Sequence, residues 1–228
     1  MQKLSKFLKT KQGKWLLGLT ILAVIAAGLG IFKVWSDHQK YEIMQSKVNA
    51  PVTQKLSKDT LRKDKIHMFT DDDLVRYRKE AYAKGLDKYP NGYLEIPSIN
   101  VKLPIYNRAN NLTLSLGVGK DYYLDSEFGK GNVVLAGHNM ERHGILLSDL
   151  YQVKNGQEVI LHGADNQVYK YKIFSKKVQS PYVKIIDGKP VKGSAYYLPE
   201  GNEKPIVTVY DCSDHGKTRL VVQAELEN

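Results

Sequence analysis

Apolar and polar positions change rhythm twice along the chain. Residues 15–32 (WLLGLTILAVIAAGLGIF) form an uncharged apolar run of eighteen residues, about the minimum for a bilayer-crossing helix. Trp15 and Trp35 bracket it, where interfacial aromatic anchors belong. Residues 36–88 are charged and poor in glycine, and read as a mostly helical stalk with no catalytic feature; His38 and His67 are expected to be solvated. Inside this stretch Thr70 followed by Asp71, Asp72 and Asp73 predicts a capped helix start, with acids facing the positive end of the helix dipole. From residue 89 short β-branched runs take over. Residues 92–97 and 101–106 pair as a hairpin through 98–100, and further strands are predicted at 132–136, 158–161, 167–178, 205–211 and 218–225. Residues 145–150 suggest a helical turn. Many short strands with few helices predict an all-β barrel or sandwich. The chain thus divides into a basic tail (1–14), a transmembrane anchor (15–35), an extracellular stalk (36–88) and a β-barrel domain (89–228).

Charge supports the membrane reading. The net charge is +10, but Lys3, Lys6, Lys9, Lys11 and Lys14 are unopposed by any acid and precede the apolar run. That arrangement reports topology, with the N-terminus cytoplasmic and the following domain outside, and not a nucleic-acid-binding face. A cleaved signal peptide would have an apolar core of about 7–15 residues followed by a small-residue cleavage site. No such site follows Phe32, so the segment is expected to remain as a single-pass anchor.

A single cysteine, Cys212, excludes an intramolecular disulfide and leaves an inert buried thiol, an intermolecular bridge or a nucleophile. Cys212 ends the apolar run 205–211. After the turn residues 213–217, Arg219 opens the next β-branched run. His138 follows the run 132–136. A thiolate needs a proton-moving group and donors for a developing oxyanion, and these residue types match those needs. Arginine, permanently protonated, suits the donor role, and a nearby cation favours the thiolate. The bland alternatives are a structural His138 and an Arg219 paired with Glu225 or Glu227. His215, three residues past Cys212, reads as a surface turn residue, while His143 and His162 show no partner. The thiol is alone, so no zinc site and no other metal site is expected.

The segments Tyr93-Leu-Glu-Ile-Pro, Leu103-Pro-Ile-Tyr, Ala136-Gly-His-Asn and Thr208-x-x-x-Cys212, with Arg219 seven residues on, resemble a sortase, and most closely class A. The resemblance spans residue 89 to the C-terminus. It implies an eight-stranded β-barrel and a transpeptidase acting on LPxTG-type sorting signals of surface-protein precursors. Cys212 would attack the Thr–Gly carbonyl, His138 would act as general acid and base, and Arg219 would stabilise substrate and oxyanion. The acceptor would be the cross-bridge amine of lipid II. Ala136 and Thr208 match positions lining the sorting-signal groove. The alternatives are a pilus-type sortase or cysteine peptidase using the same three groups, and a non-catalytic sortase-like surface module. The oligomeric state is left open.

Two departures from the family pattern matter. The signature T-L-x-T-C reads Thr208-Val-Tyr-Asp-Cys212 here, placing the Asp211 carboxyl next to the thiol. Neighbouring strand residues face opposite sides, so its effect on Cys212 is expected to be modest. Some class A members bind calcium in the loop before the histidine strand. That loop, 125–131, carries Lys130 where an acid is wanted, and calcium needs roughly six to eight oxygen ligands. The expectation is activity without calcium or any other cofactor. Residues 179–204 are expected to form a loop that closes over substrate.

Overall fold

The computed structural model describes residues 10–213 and 216–227; the expected roles of Lys3, Lys6, Lys9 and His215 fall outside them. Two compact units are present, divided between Glu42 and Ile43. In the first, helix α1 (Lys11–Gln45) carries the apolar run with its large side chains exposed, Trp15 and Trp35 among them. Among the described residues it is the one helix long and apolar enough to cross a membrane.

The second unit is built on eight strands: β1 (Gly92–Ile96), β2 (Val101–Tyr106), β3 (Val118–Lys120), β4 (Asn132–Gly137), β5 (Glu158–His162), β6 (Val168–Gln179), β9 (Ile206–Ser213) and β10 (Thr218–Leu226). They close a barrel in the order β1-β2-β3-β4-β9-β10-β6-β5. The hairpin β1–β2 turns through a short 3₁₀ segment ending at Asn100, whose φ of 53° suits asparagine's tolerance of the left-handed region. Alternate residues fill the interior: Leu94 and Ile96, Val133 and Leu135, Val159 and Leu161, Tyr171 and Ile173, Val207 and Val209, Leu220 and Val222. This all-β barrel, preceded by a long apolar helix, is the fold class expected above.

Three local features differ from the sequence reading. Strand β3 and the preceding helix α4 (Asn111–Leu116) were not predicted, because three residues are too few to show a period. Residues 145–150 form single turns and no regular helix: the N–H groups of Ser148 and Leu150 donate to the carbonyls of Ile145 and Leu147, and Leu150 opens a 3₁₀ segment ending at Gln152. Leu146 adopts φ 51° and bridges to Asn139, which breaks a helical path. The loop 179–204 contains a small hairpin of β7 (Ile185–Ile186) and β8 (Lys189–Pro190).

The stretch read as a stalk is, from Ile43 onward, built into the barrel unit. It includes α2 (Lys58–Leu61) and α3 (Asp71–Ala83). Thr70 caps α3 as predicted, its hydroxyl accepting from the Asp73 N–H at 3.1 Å while Asp73 accepts from the Thr70 N–H. Met44, Phe69, Leu74 and Val75 pack with Met140, Ile145 and Leu146 of the loop after β4. Val48, Ala81 and Leu86 pack with Tyr106, Leu112 and Leu116. These contacts were invisible beforehand because the apolar residues are sparse among charges. Arg78, 2 % exposed, locks the arrangement by donating to carbonyls of Ser115 (2.6 Å), Ile43, Met44 and Ser46. Burial lowers its pKa only to about 10, so it stays charged at neutral pH.

Replacing Arg78 by leucine removes the donor and leaves buried carbonyls unpaired. Arg78→Leu is expected to cost roughly 2–4 kcal/mol. Limited proteolysis should then cut within residues 43–88 before the barrel, and the thermal midpoint should fall.

Candidate active site

Strand β9 runs parallel to β4, with Val133 opposite Val207 and Gly137 opposite Asp211. On its other side β9 is antiparallel to β10, with Cys212 opposite Arg219. Since Val133, Leu135, Val207, Val209, Leu220 and Val222 point inward, the alternate residues Ala136, Thr208, Tyr210, Cys212, Arg219 and Val221 face outward. Cys212 and Arg219, directly opposed, have Cβ atoms about 4.5–5.5 Å apart by ordinary strand geometry. His138 and Cys212 each follow the Gly137–Asp211 pair by one residue, so both leave the same end of parallel neighbours. The backbone at His138 is fixed by its carbonyl, which accepts from the Leu147 N–H at 3.1 Å. Gly137 permits this close approach, because a Cβ there would fall inside the Leu147 side chain. The structure thus brings together the three groups singled out in the sequence.

Their environment is dry. His138 is 3 % exposed, its Nε2 has no hydrogen-bond partner, and burial lowers its pKa to about 3, with the neighbouring His67 acting in the same direction. The cover is Phe69, whose ring centroid lies 3.8 Å from that of His138. Phe69 in turn stacks on Tyr77 at 5.0 Å, and the exposed His67 contacts both rings. Cys212 is half-buried, and burial raises its pKa; Arg219 opposes that shift and Asp211 adds weakly to it. At neutral pH the resting pair is therefore thiol and neutral imidazole.

Asp211 points into the barrel, away from the thiol. Its residue is fully buried, neither carboxylate oxygen makes a well-formed hydrogen bond, and the Leu220 backbone offsets the burial only in part. Burial raises its pKa to about 8, so the acid is largely protonated at neutral pH. That accounts for its small influence on Cys212.

Arg219 pairs with neither Glu225 nor Glu227. Its Nη1 donates to Tyr196 Oη at 3.0 Å, and its guanidinium lies 4.7 Å from the centroid of the Tyr210 ring. Ala136 and Thr208 lie on the expected outer face but do not line an open groove. Thr208 donates to Asn132 and accepts from Gln223, while Ala136 packs under Ala195 and Tyr196. Residues 194–197 lie over them, held by Asn132 donating to the carbonyls of Ala195 and Tyr197 and by Gln223 donating to that of Ser194. Two histidines read as partnerless have partners: His143 meets Asp149 at 2.8 Å, and His162 meets Glu95 at 2.7 Å. Among the described residues no three or more His, Cys, Asp or Glu side chains gather as a metal cage. In the loop before β4, Lys130 pairs with Glu127, and the buried Lys120 donates to the Ser126 carbonyl.

Sequence reasoning missed Phe69, Asp121, Tyr196 and Tyr210. Tyr210 was accessible, since it alternates with Thr208 and Cys212 and so shares their face. Phe69 and Tyr196 come from distant segments with no local signal.

A sortase-domain family model matches residues 94–227, more than half of the chain. The chain belongs to the sortase family. Sortases are cysteine transpeptidases that act on sorting-signal substrates. The chain is 28% identical over 157 residues to sortase A of Bacillus anthracis, covering 68% of this chain and 72% of that one. It is 27% identical to sortase A of Streptococcus agalactiae, covering 94% and 84%. The solved sortase A of Listeria monocytogenes superposes with a TM-score of 0.51 at 25% identity, covering 61% of this chain and 88% of that structure. The matched region contains Cys212, His138 and Arg219 and excludes Phe69.

Two measurements follow from the dry environment. Phe69→Ala admits water to His138, so its imidazole pKa should rise from about 3 towards its ordinary 6.5 in an NMR titration. The imidazolium so formed favours the thiolate, and alkylation of Cys212 should accelerate several-fold. For Asp211, the folded chain keeps a proton that the unfolded chain has lost. Stability therefore falls as pH rises from 3.8 towards 8. His138 acts oppositely, costing stability as pH falls from 6.5 towards 3. The thermal midpoint of the wild type should therefore drop between pH 6.5 and 8, and that of Asp211→Asn should not.

Proposed function

We propose that this sortase is a membrane-anchored, class A-type transpeptidase that cleaves LPxTG-type signals between threonine and glycine. The observation that carries the reading is the pairing of Cys212 with Arg219 across β9 and β10, with His138 emerging beside Cys212 from β4. Cys212 Sγ attacks the threonine carbonyl carbon, and Arg219 donates to the oxygen as negative charge develops. The C–N bond to glycine breaks, and the thiol proton leaves with the amine by way of His138. An incoming amine, the cross-bridge of lipid II, then gives its proton to His138 and attacks the thioester, releasing Cys212 as a thiol. The surface protein ends joined to the cell-wall precursor by an amide bond.

The similarity to sortase A of two Gram-positive species over most of the chain supports class A. The apolar helix α1 supports anchoring, and the lysines before it support a cytoplasmic N-terminus with the barrel outside. Lys120 and Lys130 place ammonium groups in the loop where calcium would need carboxylate oxygens, which supports activity without metal. The resting thiol and neutral imidazole imply that turnover begins with movement of Phe69 off His138, since a base needs reach to the proton it takes.

The test uses residues 43–228, an LPxTG peptide and a glycine- or alanine-based amine, with products weighed by mass spectrometry. Wild type should join the peptide, cut after threonine, to the amine. Cys212→Ala should give neither thioester nor product, and EGTA should leave the rate unchanged. Water as sole acceptor would favour a peptidase, and the absence of any thioester a non-catalytic module.

A further inference from the structure

A half-buried guanidinium is usually neutralised by a carboxylate in direct contact. Among the described residues, the ion pairs within 4 Å do not include Arg219. The nearest acid in its network, Asp121, stands one hydroxyl away. Tyr196 Oη donates to Asp121 Oδ2 at 2.6 Å and accepts from Arg219 Nη1 at 3.0 Å. Tyr210 Oη donates to the same Asp121 oxygen at 2.5 Å, while its ring packs against the guanidinium. The two rings meet edge to face, with centroids 6.4 Å apart.

The sense of each bond is fixed. A carboxylate only accepts, so both phenol protons point at Asp121, and the lone pair left on Tyr196 faces Arg219. Burial raises the pKa of both phenols, which keeps those protons in place. Tyr196 is itself oriented from outside the network: Tyr123 Oη donates to its carbonyl at 2.9 Å, and the exposed Tyr122 ring lies 5.0 Å from its own. A bidentate carboxylate would occupy two of the five guanidinium N–H groups and cancel much of the charge. One neutral phenol occupies a single N–H, and an aromatic face holds the plane through cation–π attraction.

We propose that Asp121, Tyr196 and Tyr210 form a positioning device that holds the Arg219 guanidinium opposite Cys212 while leaving its charge and its other N–H groups for the reacting carbonyl. Tyr196 is the central positioning residue: it carries the polarisation of Asp121 to Arg219 without contacting substrate. The device also ties residues 194–197 to the arginine, so a shift of that segment shifts the guanidinium. The proposal rests on the reading of Arg219 as the group that stabilises the oxyanion.

The test is a double-mutant cycle on the full-length chain in detergent, with an LPxTG peptide and an amine acceptor. Tyr196→Phe removes one oxygen and keeps the ring. It should lower kcat about tenfold with KM within about twofold, the size expected for losing one hydrogen bond to a charged group. Asp121→Asn should act in the same direction. Tyr196→Phe added to Arg219→Ala should cost nothing further, because the phenol acts only through the arginine. Independent, multiplicative losses would mark a merely structural tyrosine and overturn the proposal, as would an unchanged kcat in Tyr196→Phe. Full activity of Arg219→Ala would remove the reading beneath the proposal, and the device with it. Should wild type show no transpeptidation, rotation of the Arg219 guanidinium followed by NMR decides the matter separately. Slow rotation that accelerates in Tyr196→Phe supports the device; equal rates overturn it.

Discussion

The register of β9 between β4 and β10 is the constraint from which the rest of the site follows. Strand side chains alternate, so a slip of one residue would turn Val207 and Val209 outward and carry Cys212 into the barrel. Both valines are fully buried, as are Val133 and Leu135 beside them, and exposing each such side chain costs roughly 1.5–3 kcal/mol. The core thereby holds Cys212, His138 and Arg219 at one end of neighbouring barrel strands. Packing, not hydrogen bonding among the three, keeps them together. Gly137 belongs to the same constraint, since its missing side chain lets Leu147 reach the His138 backbone.

Desolvation then sets the resting chemistry. Burial lowers the His138 pKa and raises those of Cys212 and Asp211, so each shift favours the uncharged form. The position where the family has a hydroxyl beside the nucleophile carries an acid here. The barrel keeps that acid protonated by turning it inward among valines and leucines. Its burden therefore falls on stability, growing as pH rises from 3.8 towards 8, more than on the thiol.

Much of this was legible in the sequence. The lone cysteine at the end of a β-branched run, the arginine opening the next and the histidine closing an earlier one each mark a strand end. Alternation alone predicted that Asp211 would face away from Cys212. The cap at Thr70 was likewise readable, because it depends on four neighbouring residues. What was not legible depends on chain segments meeting from afar. Phe69 reaches His138 across 69 positions of sequence, and Tyr196 reaches Arg219 across 23. The polar stretch 43–88 hid its packing because Leu74, Val75, Ala81 and Leu86 are isolated among charges, and Arg78 reads as one more solvated cation until its four carbonyl partners are seen.

The two covers over the site differ in how firmly they are held. Residues 194–197 are pinned by buried side-chain bonds from Asn132 and Gln223, and each must be replaced if the segment lifts. Over His138 the cover is aromatic packing by Phe69, itself buried with Met44, Leu74, Val75, Met140, Ile145 and Leu146. Drawing such an apolar side chain into water costs roughly 1.5–3 kcal/mol, but apolar contacts can shift without leaving a buried donor unpaired. The histidine side is therefore held by packing and the arginine side by directed bonds. Movement of Phe69 would give His138 water without touching the bonds that tie Arg219 through Tyr196 to Asp121. That division suits the proposed transpeptidation, in which His138 exchanges protons with the outside and Arg219 meets a developing charge from a fixed position.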